Sequence, residues 1–128
     1  MIVLDTHAWI WFASARKKLS TSAASACEDA KLLLVSAISV WEVAMLVSKG
    51  RIGFDRDVER WIQEALALPK VRLEPLTPGI SVLSTRLPGS FHGDPADRII
   101  AATALDHCAA LVTKDVALRR YRHVRTVW

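Results

Sequence analysis

The chain has 128 residues, of which 52% are apolar, enough to bury one hydrophobic core, so we expect a single globular domain over residues 1–128. No apolar run approaches the roughly 20 residues that span a bilayer, and no basic region precedes a long apolar stretch at the N-terminus, which argues against a membrane or secreted protein and predicts a cytoplasmic one. The net charge of +4 favours polyanionic partners without requiring one.

Short apolar runs alternate with helical patterns along the whole chain. In chain order, the predicted strands are 2–4, 32–35, 71–73, 110–112 and, as an edge strand, 124–128. The first four are short enough to be buried on both faces. Helices are predicted over 6–13, 21–30, 36–48, 55–68, 78–86 and 95–108, with a short helical pattern over 116–121. Gly50 fits the end of the third helix, and Asp55 fits the start of the fourth.

This alternation indicates βαβ units with right-handed crossovers, and therefore a mostly parallel sheet covered by helices on both faces. The predicted fold is a three-layer α/β/α sandwich. In such a sandwich each helix begins at the edge where the preceding strand ends. The carboxyl ends of the strands and the first turns of the helices therefore share one rim of the domain.

Acidic residues occupy that rim in the predicted fold. They are Asp5, Glu42, Asp94, Asp97 and Asp115. In open α/β sheets the ligand crevice lies outside the carboxyl ends of the strands, so acids at these positions face it. Asp5, Asp94 and Asp115 also have a structural explanation, because aspartate is a favoured N-cap of the helix that follows.

Glu42 has no such explanation, because it is the only ionisable side chain between Leu32 and Ser48, in a helix that is largely apolar on every face. Burying an unpaired carboxylate costs several kcal/mol. Glu42 must therefore be protonated, hydrogen-bonded, paired with a cation or bound to a metal ion.

Asp97 follows Asp94 by three residues, at a position where negative charge complements the helix dipole. If its side chain points across the rim instead, it joins Asp5 and Glu42. The neighbouring Arg98 either pairs locally with an acid or reaches a phosphate group.

Clustered carboxylates raise one another's pKa unless a cation balances them, and Mg²⁺ or Mn²⁺ accepts such oxygen ligands. Zinc would instead favour cysteine or histidine ligands. Cys27 and Cys108 stand far apart, and we interpret them as reduced, partly buried thiols. The histidines lack paired spacing, and we interpret them as surface or helix-capping residues; they are His7, His92, His107 and His123.

Four segments share the order and spacing of a known family. They are residues 3–7 (VLDTH), 35–42 (VSAISVWE), 94–104 (DPADRIIAATA) and 111–115 (LVTKD). Together they resemble the PIN-domain ribonucleases, most closely the VapC toxins. The resemblance implies an acidic quartet made of Asp5, Glu42, Asp97 and Asp115. It also implies lesser roles, with Asp94 as a further metal ligand or only a helix cap, and Thr6, Ser39 and Thr113 as hydroxyls that orient acids or water.

The function implied by the resemblance is that of a metal-dependent endoribonuclease, the toxin of a toxin–antitoxin pair, acting on structured RNA such as tRNA or rRNA. One or two Mg²⁺ or Mn²⁺ ions would serve as the cofactor. Expected partners are the RNA substrate, a VapB-type antitoxin and a second copy of the chain, in a homodimer and a higher toxin–antitoxin assembly. The residues expected to grip RNA phosphates are Arg98, Lys114, Arg119, Arg120 and Arg122. An ordinary solvated face also explains the basic cluster.

Aromatic residues of the first predicted helix, Trp9, Trp11 and Phe12, could stack on unpaired bases or pack against a partner, and we favour contact with an antitoxin or a second protomer. Trp41 and Trp61 lie in mostly apolar helices, and we assign them to the core.

Two other functions use similar features. A Mg²⁺-dependent phosphatase also places acids at the ends of parallel strands, but a dehalogenase-type phosphatase needs a second aspartate two residues after the first, where this chain has His7. A non-catalytic RNA-binding or scaffold domain would keep the fold without the activity, and its function would survive exchange of Asp5 or Asp97 for asparagine.

Overall fold

The computed structural model describes all residues from Met1 to Trp128 and contains one five-stranded sheet. The strands are β1 (Ile2–Leu4), β2 (Leu33–Ser36), β3 (Val71–Glu74), β4 (Ala110–Val112) and β5 (Thr126–Val127), in the spatial order β3-β2-β1-β4-β5. Every pair is parallel. All five strands therefore end at the same edge of the sheet.

Seven α-helices connect and cover these strands. They are α1 (Thr6–Ser14), α2 (Thr21–Asp29), α3 (Ala37–Ser48), α4 (Val58–Leu66), α5 (Pro78–Thr85), α6 (Pro95–Asp106) and α7 (Val116–Arg120), with a short 3₁₀ helix at Arg16–Lys18. None of them combines the length and apolar character needed to cross a membrane.

Side chains of the central strands alternate between two helical layers. Leu4, Leu33 and Val35 pack with α1, α2 and α4, whereas Val3 and Leu34 pack with α5, α6 and α7 on the opposite face. β1, β2 and β4 are buried throughout, as expected for strands covered on both sides. The predicted three-layer α/β/α sandwich with a parallel sheet is confirmed.

The prediction that the third strand is buried on both faces was wrong. β3 is the outermost strand and pairs only with β2, so Arg72 and Leu73 are exposed. The predicted start of the fourth helix was also wrong, because the side chain of Asp57, rather than Asp55, accepts the capping hydrogen bond from Glu59 N. The other helix boundaries differ from the predictions by at most two residues.

α3 buries only a narrow stripe, made of Ser39 and Val43. Trp41 points away from that stripe and is 58% exposed, so its assignment to the core was wrong, whereas Trp61 is buried as expected. Gly50, with φ of +68°, follows the end of α3 and supplies the left-handed conformation that commonly stops a helix.

The two cysteines lie in different surroundings. Cys27 is buried in α2, as a packed thiol should be. Cys108 is exposed, because it lies in the turn between α6 and β4, where its φ is +50°. Partial burial was therefore the wrong expectation for Cys108. With these two residues on separate elements, both thiols are free.

Candidate active site

An open cleft of about 590 Å³ lies at the carboxyl edge of the sheet. It sits beside β1 and β4, where the connections from neighbouring strands leave in opposite directions, and this switch point is the usual ligand crevice of an open α/β sheet. The nine residues that line it are Asp5, Thr6, His7, Trp11, Glu42, Asp94, Asp97, Lys114 and Asp115. All five predicted acids thus meet in one place, although they come from four separate parts of the chain.

Asp5 lies at the floor of the cleft, directly after β1, and is only 9% exposed. One carboxylate oxygen accepts a hydrogen bond from the backbone N–H of Thr6 at 2.8 Å, and the other accepts one from the Thr113 hydroxyl at 2.7 Å. Burial raises the pKa of Asp5, and these two hydrogen bonds offset only part of that effect. The aspartate therefore caps α1 and also presents a second oxygen to the cleft.

Glu42 reaches the cleft from the second turn of α3. Its Oε1 lies 2.5 Å from the hydroxyl of Thr6, which in turn lies 2.9 Å from the hydroxyl of Ser39. Burial raises the pKa of Glu42, the Thr6 hydrogen bond lowers it, and the charges of Asp5 and Asp94 raise it further. Of the four states that the sequence left open for this carboxylate, the hydrogen-bonded one is present.

Asp97 is the most perturbed acid of the cluster. Its pKa is raised to about 7, first by burial and then by repulsion from Asp94, Asp5, Asp115 and Glu42. It does point across the rim, and it lines the cleft. Asp94 keeps its predicted role as the N-cap of α6, since its Oδ1 accepts from Asp97 N at 3.1 Å. Asp94 also faces the cleft.

Asp115 lies at the mouth of the cleft and is exposed. Its carboxylate caps α7 by accepting from Leu118 N at 3.0 Å. Its own N–H donates to the Thr113 hydroxyl at 3.0 Å, and that hydroxyl donates to Asp5. Thr113 is fully buried and therefore connects the loop that carries Asp115 to the aspartate at the floor.

The predicted basic residues do not share one location. Lys114 lines the cleft. Arg120 and Arg122 line a separate depression of about 320 Å³ together with Gly89, Ser90 and His123. Arg119 is exposed and lines neither of them.

Arg98 forms no ion pair with a neighbouring acid, and its role in contacting RNA phosphate stays a prediction. Its guanidinium donates to three backbone carbonyls, at 2.9 Å to Ser84, 3.1 Å to Phe91 and 3.0 Å to His92. A guanidinium is a planar donor group suited to several acceptors at once, and here these acceptors belong to the end of α5 and the loop before α6. Arg98 therefore holds that loop in place.

The aromatic residues of α1 face in two directions. Trp9 is completely buried and Phe12 is 6% exposed, so the favoured interpretation of these two as partner contacts was wrong. Their three-residue spacing puts them on one helix face, and that face packs on the sheet. Trp11 lies on another face and lines the cleft.

Two histidines near the acids were not assigned to the site from the sequence. His7 is exposed and lines the cleft, and its position two residues after Asp5 was the only signal for it. His92 places Nε2 3.2 Å from Asp97 Oδ2, while its Nδ1 accepts from Asp94 N at 3.2 Å. In neutral His92 the proton is therefore on Nε2, directed at Asp97. Only folding of the loop brings His92 there.

The cleft fits a hard divalent cation by its chemistry. Its acids offer only oxygen ligands, and the mutual repulsion that raises the pKa of Asp97 disappears when a cation binds among them. No three His, Cys, Asp or Glu side chains are arranged to enclose a metal ion unaided. Magnesium commonly keeps several waters and takes only one or two carboxylates, so an open acidic cleft suits it.

A second cleft, of about 550 Å³, lies between the end of α1 and α4 and offers different chemistry. Stacked Phe54 and Trp61 form part of its wall. Its acids, Asp55 and Glu64, are both paired with Arg56. Because their charge is already balanced, this cleft lacks the unpaired carboxylate cluster of the first.

The family model described as PIN domain matches residues 2–124. The chain is 43% identical over 129 residues to Ribonuclease VapC22 of Mycobacterium tuberculosis, covering 99% of this chain and 98% of that protein.

Solved structures of low sequence identity share the fold. FitAcB from Neisseria gonorrhoeae superposes with a TM-score of 0.69 at 22% identity, over 98% of this chain and 96% of that one. VapBC2 from Rickettsia felis, bound to a DNA fragment from their promoter, gives a TM-score of 0.67 at 19% identity, over 98% and 97%. A toxin–antitoxin complex from Klebsiella pneumoniae gives 0.67 at 22% identity, over 97% and 95%.

Proposed function

This chain belongs to the PIN-domain family and, within it, to the VapC-type ribonucleases, and from that premise we propose that it is a divalent-metal-dependent endoribonuclease that acts as the toxin of a toxin–antitoxin pair. The observation that carries the chemical part of the proposal is the meeting of five carboxylates in one cleft at the sheet switch point. The proposal covers residues 1–128 as one nuclease domain acting on cytoplasmic RNA.

The residues that would hold Mg²⁺ or Mn²⁺, directly or through water, are Asp5, Glu42, Asp97 and Asp115, with Asp94 as a further candidate. The metal, one ion or two, would supply charge neutralisation at the scissile phosphate and a lowered pKa for a bound water. Asp94 also caps α6, and that role alone accounts for its position. We therefore rank it below the other four.

Side chains of the protein would hold the acids in position, activate a water and contact the RNA. The Thr113 and Thr6 hydroxyls fix the carboxylates of Asp5 and Glu42, and Ser39 holds Thr6 from the other side. Among the four principal acids only Asp115 is exposed, which suits it to orienting or deprotonating a water. Lys114, in the same cleft, would contact a phosphate of the RNA.

An antitoxin of the VapB type is the proposed protein partner, covering the acidic cleft and blocking access to it. Support comes from the solved structures of the same fold, one of which is described as a toxin–antitoxin complex and another as VapBC2. The antitoxin's identity and the RNA sequence cleaved are left open, because neither follows from the cleft.

A homodimer is the proposed assembly of the toxin, and it forms part of a larger complex with the antitoxin. The outer side of α3 supports this, since Trp41 is 58% exposed and Met45 and Leu46 are only half-buried. Sedimentation of the free toxin tests the assembly directly. A monomer at all concentrations would remove this part of the proposal and leave the nuclease part standing.

The nuclease proposal is tested by incubating the purified, antitoxin-free protein with total bacterial RNA in Mg²⁺ or Mn²⁺, and mapping new 5′ ends. Discrete cuts are expected, and both EDTA and the Asp97→Asn substitution should abolish them. Asp106→Asn is the matched control, because Asp106 is an exposed residue at the opposite end of the same helix.

Cuts that persist in Asp97→Asn, or in EDTA, would contradict the metal-dependent mechanism. The absence of any cleavage by folded, metal-loaded protein would instead favour a non-catalytic RNA-binding domain or a phosphatase. A phosphatase would be recognised by release of inorganic phosphate from a small phosphomonoester.

A further inference from the structure

Trp11 is the only apolar residue among the nine that line the acidic cleft. The other side chains of the wall are five acids, a threonine, a histidine and a lysine. A nucleotide that enters the cleft therefore meets one surface suited to a base. Exposed aromatic rings beside a nucleic-acid site are the usual platforms for unpaired bases, because every base has a face that can stack.

The Trp11 ring is held in a fixed position rather than left free at the surface. Its centroid lies 5.7 Å from the ring of His7 and 5.7 Å from the ring of Trp128, tilted by 53° and 51° respectively. The ring remains half-buried. Trp9 and Phe12, on the other face of α1, anchor the helix in the core. A pre-positioned ring loses little conformational entropy when a base stacks on it.

Lys114 adds a positive charge at the same place. Its Nζ lies 5.8 Å from the centroid of the Trp11 ring, within the range of a cation–π contact. The rest of the cleft is acidic and would repel a phosphate in the absence of metal. Trp11 and Lys114 together therefore offer a stacking face and a phosphate contact that are 5.8 Å apart.

We propose that Trp11 is a specificity-determining residue on which an unpaired base next to the scissile phosphate stacks, with Lys114 contacting the adjoining phosphate. This inference rests on the proposed ribonuclease function and deepens it. It restricts the substrate to RNA in which the nucleotide beside the cut is unpaired, in a loop, a bulge or a single strand, because a base inside a duplex cannot reach the ring.

The test distinguishes binding through a base from binding through the phosphate backbone. The affinity of a short oligoadenylate and of an abasic oligonucleotide of the same length and charge is measured in Mg²⁺, in the Asp97→Asn background so that the RNA is not cut. In that background, Trp11→Leu should weaken oligoadenylate binding about tenfold and leave the abasic binding unchanged. Trp11→Phe, which keeps an aromatic face, should restore most of the loss.

Two outcomes would overturn the proposal. One is an equal loss for both oligonucleotides in Trp11→Leu, which would indicate a structural effect. The other is no loss for either, together with weaker antitoxin binding, which would make Trp11 a protein contact. The abasic comparison with intact Trp11 does not depend on the variant folding: it should already show about tenfold weaker binding than oligoadenylate.

Failure of this proposal is distinguishable from failure of the nuclease proposal. If the unaltered protein cleaves RNA but the Trp11 variants show no dependence on the base, only the stacking role is lost. If the unaltered protein neither cleaves nor binds RNA, the nuclease function itself is wrong. As a further check on the active enzyme, Trp11→Leu should raise KM for a single-stranded substrate by about tenfold while kcat changes little.

Discussion

Two threonine hydroxyls fix the acids of the cleft. Thr6 bonds Glu42, whereas Thr113 donates to Asp5 and accepts from the backbone of Asp115. A hydroxyl can donate once and accept more than once, so each threonine can connect two groups that would otherwise be independent. Such outer contacts orient the residues that bind metal, and in known metal sites their loss reduces affinity or activity substantially.

The Thr113→Val substitution should therefore impair catalysis more than its small change in shape suggests. Valine keeps the volume and β-branching but removes the hydrogen bonds to Asp5 and Asp115. We expect cleavage to fall about 10–100-fold, measured as kcat/KM under saturating Mg²⁺. Thr103→Val is the matched control, because that threonine is equally buried but bonds only Ile99 O in its own helix. Equal losses in both variants would contradict a positioning role for Thr113.

The raised pKa of Asp97 predicts that metal-free protein is more stable in mild acid. The folded protein binds a proton at Asp97 with a pKa of about 7, whereas the unfolded chain does so near 3.8. Between these two pKa values the native state therefore holds a proton that the unfolded state lacks. Stability in EDTA should rise as the pH falls from about 8 to about 5. Thermal unfolding at several pH values measures this trend.

Asp97→Asn provides the comparison for that trend, since asparagine cannot titrate. The rise in Tm toward lower pH should be much smaller in this variant than in the unaltered protein. Excess Mg²⁺ should stabilise the unaltered protein most at high pH, because metal binding competes with protons for the carboxylates. Identical pH profiles for the two proteins would show that Asp97 is not the group responsible.

At the level of single residues, the sequence predicted the acids but not all their neighbours. The acids follow strands or begin helices, so their convergence is a property of the parallel sheet. The hydrogen bonds of Thr6 and Thr113 and the cleft position of Trp11 depend on side-chain directions that the sequence leaves open. Trp9 and Phe12 were misassigned because helical spacing defines which residues share a face but not which face meets the sheet.

At the level of elements, hydrogen bonds join the loop over residues 88–93 to the start of α6. The Arg98 side chain, inside α6, bonds the carbonyls of Ser84, Phe91 and His92, and so joins the end of α5, the loop and α6. His92 in that loop contacts Asp97. The position of the Asp97 side chain therefore depends on the hydrogen bonds of the Arg98 side chain, which go to backbone carbonyls and not to Asp97 itself.

Arg98→Met should loosen this loop without changing how RNA binding responds to salt. Methionine keeps the apolar stem but leaves three carbonyls without their donor, and we expect a loss of about 1–3 kcal/mol in the free energy of unfolding. The slope of log Kd against log salt concentration should remain as in the unaltered protein, because no phosphate contact is removed. A reduced slope would instead support the predicted phosphate contact of Arg98.

Helices and strands were predicted well where local signals were strong, and less well elsewhere. The apolar runs of β1, β2 and β4 predicted strands buried on both faces, and these strands are buried. β3 has the same composition of apolar residues interrupted by Arg72, and only the strand order reveals it as an edge. For α4, the sequence predicted a start at Asp55, but the side chain of Asp57 caps the helix, in which Trp61 donates a hydrogen bond to Ser14 of α1.

On the scale of the whole molecule, acidic and basic side chains lie in different regions of the surface. The net charge is +4, yet the cleft is lined by five acids, and the positive charge lies largely outside it on exposed residues such as Arg119, Arg120 and Arg122. RNA spanning both regions would be held by its flanking phosphates and cut at the acids. Electrostatic contacts of that kind weaken steeply with salt.

The double substitution Arg120→Ala with Arg122→Ala should weaken RNA binding at low salt and flatten its salt dependence. Each lost phosphate contact should reduce the slope of log Kd against log salt concentration by about 0.7 for a single strand. Arg56→Ala, on the far cleft where Arg56 pairs with Asp55 and Glu64, is the control and should leave the slope unchanged. An unchanged slope in the double variant would place the RNA path elsewhere.

Because β1 lies in the centre of the sheet, the cleft can form only late during synthesis. Asp5 is translated early, but β1 gains its second neighbour only when β4 has emerged, and the hydroxyl that holds Asp5 lies 108 residues further along the chain. Parallel pairing over such separations forms late, since the connecting loop must be closed first. A nascent chain on the ribosome therefore carries no complete acid cluster. The cleft, with Asp115 among the residues that line it, is therefore completed only near the end of synthesis.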